Sequence, residues 1–334
     1  MKILIIGSDY NWSIERIYKR ELLQLGHEVT HVPVQNWYYD FYYKSPIHKT
    51  LVRLGLTRLA TNIQKRLFAE LNGQYFDLIW VFKGMELIPQ TIKTLKKQTT
   101  RLINFNPDNP FIFSGKGSGN TNITQSIHLY DVYFTYDHEV KSRIELEFDI
   151  KCTLVPFGFD NEVISNEELN EVEEIKAVCF VGNPDAYRTK IIQEILDIGL
   201  PLHVYGHDWQ KHLKHPNLTS HGAVYEKDYY KTLRKYRVQL NIMRVHNLDS
   251  HNMRSIEVPG CGGIMLAPRT NDHVRFFEEE KEVFLFKDIR DLKIKSKNIL
   301  DLSKEDSDNI RLSARFKVFN NFKYSELTKI FLEN

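Results

Sequence analysis

The side chains best placed to do chemistry in this 334-residue chain gather between positions 249 and 263. Asp249 stands eight residues ahead of Glu257, with Asn252 and Arg254 between them, and Glu257 precedes the turn Gly260-Cys-Gly-Gly263 and the apolar run GIMLA. A carboxylate accepts two hydroxyl hydrogen bonds at once, and vicinal sugar hydroxyls are such a partner. Gly262 and Gly263 would let a backbone and a ligand approach closely. The alternative reading of Glu257 is an exposed charge on a helix that stops at glycine.

Two further turns have the form of anion sites. Gly7 and Gly182 each end an apolar strand where a helix is expected, which presents backbone N–H groups and a helix N-terminus to a phosphate. Asn183 follows Gly182, and Arg188 lies six residues beyond it, where a guanidinium would bind a diphosphate bidentately. A structural glycine and a solvated helix charge explain the same residues. Neither GxGxxG nor GxxxxGK[ST] occurs, so a Rossmann dehydrogenase and a P-loop kinase are disfavoured.

Three features of the first half are weaker. Asp108, in NFNPDNP, is stiffened by Pro107 and Pro110 and would serve as a base or hold a substrate hydroxyl, though a turn-capping aspartate fits equally. Lys83 puts a cation at the end of the strand FDLIWVF. Trp37-Tyr-Tyr-Asp-Phe-Tyr-Tyr43 packs six aromatics into seven positions ahead of the basic run HKTLVRLGLTRLATNIQKR. Aromatic faces stack on sugars or sit at a membrane interface, but burial against that run is the favoured explanation. The thirteen histidines include no HExxH and no firm metal spacing, so no metal site is expected.

Composition narrows the class. Lys and Arg number 45 against 43 Asp and Glu, so no global field points to nucleic acid. An apolar fraction of 42% with 26% charged residues is that of an ordinary globular chain. Cys152, Cys179 and Cys261 form no close pair and read as reduced thiols. The run KILIIG is too short for a signal peptide, and no stretch approaches the roughly 20 apolar residues of a membrane span. The expected location is the cytoplasm, at most touching the inner face of a membrane.

The elements that must hold these residues alternate strand and helix. Apolar strands at 2–7, 76–82, 101–105 and 131–136 are interleaved with helices at 14–25 and 89–97 and with one basic helical segment from Lys49 to Leu71. After the acidic stretch DNEVISNEELNEVEEIK the rhythm restarts, with strands at 177–182, 201–206, 238–243, 263–267 and 283–286. The expected division is a Rossmann-like domain over 1–158, a linker over 159–174, a second Rossmann-like domain over 175–312, and a helical segment over 313–334 that packs back on the first.

The second half resembles the nucleotide-sugar-binding domain of GT-B glycosyltransferases, most closely the spore-maturation (CgeB-like) group related to retaining glycosyltransferase family 4. The likeness rests on FVGNPDAYR, PLHVYGHDW, LNIMR and NMRSIEVPGCGGIMLAPRTND followed by EEEKEVFLF, in that order. The first half matches more loosely, through KILIIG, VFKG, FNPDNP and YDVYFTYD. The resemblance implies an α/β GT-B fold of two Rossmann-like domains facing each other across a cleft. It implies that Glu257 binds the donor ribose and that Asp249 takes the first acidic position of an E-x7-E-like pair. Arg188 and the backbone near Gly182 and Gly263 would hold the diphosphate, helped by Arg244 and Arg254. Gly7, Asn183, Tyr205, Gly206, Asn252 and Gly262 complete the expected donor side, and Lys83, Asn109, Trp37 and Tyr38 the acceptor side.

The chain departs from family 4 in having Asp at 249 and no clear Arg-x4-Lys pair, and Phe322-Lys-Tyr324 stands where the CgeB-like group has His-Thr-Tyr. The implied activity is transfer of a sugar from a nucleotide diphosphate, UDP-sugar favoured, to a glycan, glycolipid or glycoprotein acceptor, with retention and without metal or other cofactor. Asp108, Arg188 and Asp249 would be its catalytic residues; were the reaction inverting, Asp108 would lead as general base. A nucleotide-sugar epimerase of the same architecture and a non-catalytic glycan-binding or surface-assembly protein are the alternatives.

Overall fold

Short apolar runs buried from both sides, separated by amphipathic helices, pack as parallel strands between helical layers. The computed structural model describes residues 1–112, 121–243 and 249–334. Arg244 lies outside them. The chain divides into two compact units, Met1–Pro156 with Leu327–Asn334, and Phe157–Glu326.

The first unit runs β1 (Lys2–Ile6), α1 (Ile14–Gln24), β2 (Glu28–Val32), α2 (Val34–Tyr42), α3 (Pro46–Arg53), α4 (Leu59–Leu71), β3 (Phe76–Phe82), α5 (Pro89–Lys96), β4 (Thr99–Phe105), α6 (Thr121–Ser126), β5 (Val132–Thr135), α7 (His138–Phe148) and β6 (Lys151–Leu154). Its parallel strands lie in the order β2-β1-β3-β4-β5-β6. The chain therefore reverses its direction of travel at β1/β3, the switch point where sheets of this kind leave a crevice outside the strands' carboxyl ends. The single basic helix expected over 49–71 is two helices: the N–H of Leu56 donates to the Leu51 carbonyl and that of Gly55 to Val52, closing α3.

In the second unit come α8 (Asn166–Asn170), β7 (Ile175–Val181), α9 (Ala186–Leu196), β8 (Leu202–Tyr205), α10 (Trp209–His212), β9 (Leu218–His221), α11 (Glu226–Lys235), β10 (Tyr236–Leu240), α12 (Met253–Gly260), β11 (Met265–Pro268), α13 (Asn271–Phe276), β12 (Phe284–Phe286), α14 (Ile289–Asp301) and α15 (Lys304–Asn321). Its sheet, also parallel, has the order β12-β11-β10-β7-β8-β9, with the switch point at β7/β10. All sixteen residues of the expected linker precede β7 without leaving this unit, and α8 there is closed by a capping box between Ser165 and Glu168.

A last helix, α16 (Tyr324–Glu333), begins in the second unit and ends in the first. Within the first unit its Phe331 ring lies 4.3 Å from Trp80, 4.5 Å from Phe134 and 5.2 Å from Tyr18. The Arg101 guanidinium donates to the carbonyls of Phe331 and Leu332, both at 2.9 Å, so a cation closes the helix where its dipole is negative. Among the described residues no helix is long and apolar enough to cross a membrane.

Candidate functional site

At the β7/β10 switch point of the second unit the chain places a buried arginine. Asp185, N-cap of α9, accepts from the N–H of Arg188 at 2.9 Å, which fixes Arg188 in the helix's first turn. Its guanidinium, 4% exposed overall, donates to the carbonyl of Asn183 after β7 at 3.1 Å and to that of Ile242 after β10 at 3.4 Å. The cation thus spans the two strands whose divergence opens the crevice. Asp185 Oδ2 lies 3.5 Å from its Nε.

Two glycines shape the loops around it. Gly182 has φ +154° and Gly206 φ +153°, backbone that a side chain strains. A Cβ on Gly206 would stand 2.5 Å from the Gly182 carbonyl oxygen, so the loops after β7 and β8 touch through their backbones. The Trp209 indole N–H donates to that same oxygen at 2.8 Å, and Asn183 Oδ1 accepts from the His207 N–H at 2.9 Å. Tyr205 contributes backbone only, its carbonyl accepting from Gly182. The phenol instead bonds Tyr236 at 2.8 Å and the ring stacks on His221 at 4.3 Å.

Glu257 lies in the middle of α12, 5% exposed, and its Oε2 accepts from the Tyr229 hydroxyl of α11 at 2.5 Å. Burial raises its pKa; the Tyr229 bond and the Arg254 charge oppose that, and Asp160 adds to it. Asn252 is the N-cap of the same helix: its Oδ1 accepts from the Ser255 N–H at 3.1 Å and its Nδ2 donates to Asn241 at 2.9 Å. Ser255 in turn bonds His273 Nε2 at 2.7 Å, while His273 Nδ1 is 2.7 Å from the Pro268 carbonyl. A carbonyl only accepts, so Nδ1 carries the proton and Nε2 accepts from Ser255; burial takes this imidazole down to about 4. Beside it His251 accepts from the Phe157 N–H and bonds Asp272 at 2.6 Å. This buried lattice holds the start of α12 rigidly. Asp249 stands outside it, exposed, accepting from the Asn271 side chain at 2.8 Å.

The glycine turn after Glu257 has another use. Cys261, Gly262 and Gly263 donate to the carbonyls of Glu257, Pro259 and Val258, and Gly262 has φ +70°, so the turn is the C-terminal cap of α12. A Cβ on Gly263 would meet the Leu233 carbonyl at 2.4 Å, and Arg311 donates to the Gly262 carbonyl at 2.6 Å. The turn leads into β11, at the amino edge of the sheet, opposite the edge where Arg188 lies. Its glycines serve packing between α11, α12 and α15, and the donor contacts assigned below leave them out.

The first unit's glycine turn is also filled by the chain itself. Glu15, buried in the first turn of α1, accepts from the Ser8 N–H at 3.0 Å, and a Cβ on Gly7 would stand 2.8 Å from the same oxygen. The anion at this turn is the protein's own carboxylate. Burial raises its pKa, against the pull of the Ser8 amide and the Lys83 charge. Across the β1/β3 switch point Lys83, held at φ +55°, pairs with Asp108 at 2.5 Å, which brings two separately expected residues together. Asn109 caps its own loop, accepting from the Phe111 N–H at 2.9 Å. Trp37 and Tyr38 pack against the first unit's core, with the Arg66 guanidinium 3.9 Å above the Trp37 ring.

Nothing in the spacing pointed to Glu15, Glu86 or Tyr229. Glu86 is buried after β3, neither oxygen in a well-formed hydrogen bond among the described residues. Burial pushes it up to about 7, against Gln35 and Lys83, with Glu15 adding to the rise. Glu15 had one available signal, an acid in the first turn of the helix that follows a strand-glycine turn. Among the described residues no group of three His, Cys, Asp or Glu is placed to hold a metal.

Comparison with known proteins bears on the same residues. The model of a glycosyl transferase-like family matches residues 188–333, from Arg188 onward. No curated protein matches. The chain is similar to the sucrose-phosphate synthase of Thermosynechococcus elongatus, 12% identical, TM-score 0.69, over 100% of this chain and 98% of that one. It is similar to Anabaena HepE in complex with UDP-glucose, 11% identical, TM-score 0.64, over 100% and 98%. A S. aureus TarM variant in complex with fondaparinux, alpha-GlcNAc-glycerol and UDP is 12% identical, TM-score 0.61, over 81% of this chain. This chain spans 58% of TarM's length. The two parallel six-stranded sheets with interleaved helices are thus the GT-B glycosyltransferase fold.

Proposed function

We propose that the protein is a glycosyltransferase that takes a sugar from a UDP-sugar and passes it to a glycan, glycolipid or glycoprotein acceptor. The observation that carries the proposal is Arg188, a buried cation fixed by carbonyls of two diverging strands at the crevice where such sheets bind ligands. Cleaving the anomeric C–O bond leaves a nucleoside diphosphate whose charge needs a preorganised cation. Arg188 supplies it, with the N–H groups of the Gly182 and Gly206 loops beside it, and Arg254, in the first turn of α12, is assigned as a helper. Glu257 accepts the ribose hydroxyls, one of them in competition with Tyr229 for Oε2. Asp249, exposed after the switch loop, is assigned to the donor sugar.

Acceptor contacts are assigned to the first unit, where Lys83 and Asp108 pair and Asn109 caps the loop. Trp37 and Tyr38, half-buried on the same unit, belong to this assignment as well. Retention, independence from metal, and kinship with the CgeB-like group and family 4 belong to this proposal and rest on the motifs that carry the resemblance. The relatives solved with UDP or UDP-glucose support the choice of nucleotide. The test is incubation with labelled UDP-sugars in the presence of chelator, with the product's anomeric configuration read by NMR. Donor consumed and sugar transferred with retention supports the whole reading; isomerised donor would make the protein an epimerase, and untouched donor would end the enzymatic reading.

A further inference from the structure

One strongly biased surface of the first unit takes no part in the site just described. Residues 41–69 carry six Lys and Arg and no Asp or Glu. Within this stretch α3 buries no residue fully. Its inner side leans on the unit through Leu51 and Val52, with the Phe41 ring edge-on to His48 at 4.8 Å. Ile47 and Leu54, seven residues apart and so on one stripe of the helix, are 69% and 65% exposed. Leu56, just beyond the turn, is 68% exposed, and Tyr43, just before α3, is exposed as well.

Cations surround these apolar groups, and among the described residues no carboxylate pairs with Lys44, Lys49, Arg53 or Arg58. The Lys49 ammonium lies 4.6 Å from the Tyr43 ring centre, and Arg53 donates to the Tyr42 hydroxyl at 3.1 Å. Aromatic faces and a phenol orient the two charges but do not cancel them. Lys44 and Arg58 are exposed at either end of α3.

We propose that α3 and its flanks dock on an anionic lipid bilayer, with Ile47, Leu54, Leu56 and Tyr43 entering the boundary between headgroups and acyl chains and Lys44, Lys49, Arg53 and Arg58 facing lipid phosphates. Exposed aliphatic and aromatic side chains set among cations are the two components of interfacial binding. A second copy of this chain would bring the same uncompensated cations face to face, so charge complementarity selects the lipid. The inference does not rest on the glycosyl-transfer reading.

The experiment is co-sedimentation of the full chain with vesicles of phosphatidylcholine alone and of phosphatidylcholine mixed with phosphatidylglycerol, at low and high salt. Wild type should pellet with the anionic vesicles and be released by salt. Each basic residue near such a surface is worth about fivefold in partitioning, so removing two in Lys49→Glu/Arg53→Glu should cost about 25-fold or more. Ile47→Asp/Leu54→Asp should weaken binding comparably, and a melting temperature close to that of wild type in both variants would show that the fold is intact. Failure to bind, equal binding to neutral vesicles, or variants that bind like wild type would overturn the proposal. So would a wild-type dimer in light scattering that Leu54→Asp splits, because the face would then belong to a second copy.

Discussion

Arg188 is asked to do two things, and its replacement separates them. Arg188→Ala removes a buried guanidinium that donates to the carbonyls of Asn183 and Ile242 and stacks over Phe180 at 5.4 Å. Hydrogen bonds from a charged donor contribute about 1.5–3 kcal/mol each, and the 3.4 Å contact is the weaker of the two, so a loss of about 3 kcal/mol in folding stability is expected. For a unit of this size that lowers the melting midpoint by roughly 6–12 °C. Arg188→Lys keeps the charge but cannot span both carbonyls, and should lose about half as much. Turnover of the UDP-sugar is then measured well below the lowest midpoint, where all three proteins are folded. There Arg188→Ala should be slower by on the order of 10²-fold, the cost of one preorganised contact to the leaving group, with a much smaller change in UDP affinity. A variant that melts like wild type would refute the bridging role, and a folded variant with wild-type turnover would refute the chemical one.

Glu86 gives a pH-dependent prediction. Its pKa of about 7 in the fold stands above the ordinary 4.5, so as pH rises through this window the unfolded chain releases a proton that the fold retains. Stability is therefore lost between about pH 4.5 and 7, by about 3 kcal/mol in all. Glu86→Gln should gain on wild type across that range in denaturant titrations, and a pH-independent difference would contradict the assignment. Phe331→Ala removes a ring packed on Trp80, Phe134 and Tyr18 and should cost about 3–5 kcal/mol in the first unit; a loss below 1 kcal/mol, measured by chemical denaturation, would mean that α16 does not anchor there. Gly206→Ala meets both a positive φ and a carbonyl at 2.5 Å, so it should lower the melting midpoint and UDP affinity together, and a wild-type response in both would show that the loops are not locked.

Most of the framework was legible because parallel strands buried on both faces are plain apolar runs: KILII, FDLIWVF and IKAVCFV each announce themselves. The edge strand β9 was not, since LTSH is half exposed and has one aliphatic residue. The basic segment read as one helix because Gly55 sits in a periodic pattern that continues on both sides. Site residues divided along a similar line. Arg188 and Glu257 were marked by their neighbours in sequence, whereas Glu15, Glu86 and Tyr229 act through tertiary approach that spacing does not encode. Gly262 and Gly263 drew a ligand reading from their place after Glu257 and from the resemblance; in the structure they cap α12 and precede β11, and a glycine turn before a strand lies at the amino edge of a parallel sheet, one after a strand at the carboxyl edge. Arg244 falls outside the described residues.

The claim on which the rest depends is that the second unit binds a UDP-sugar through Glu257. Isothermal titration of UDP into the full chain, with wild type and Glu257→Ala side by side and the fold of each checked by its melting curve, tests it most directly. A buried carboxylate shared between two ribose hydroxyls should make the variant weaker by about 10- to 100-fold, the free-energy range of one or two charge-assisted hydrogen bonds. Equal affinity in the two proteins, or no heat from wild type at any UDP concentration, would contradict it.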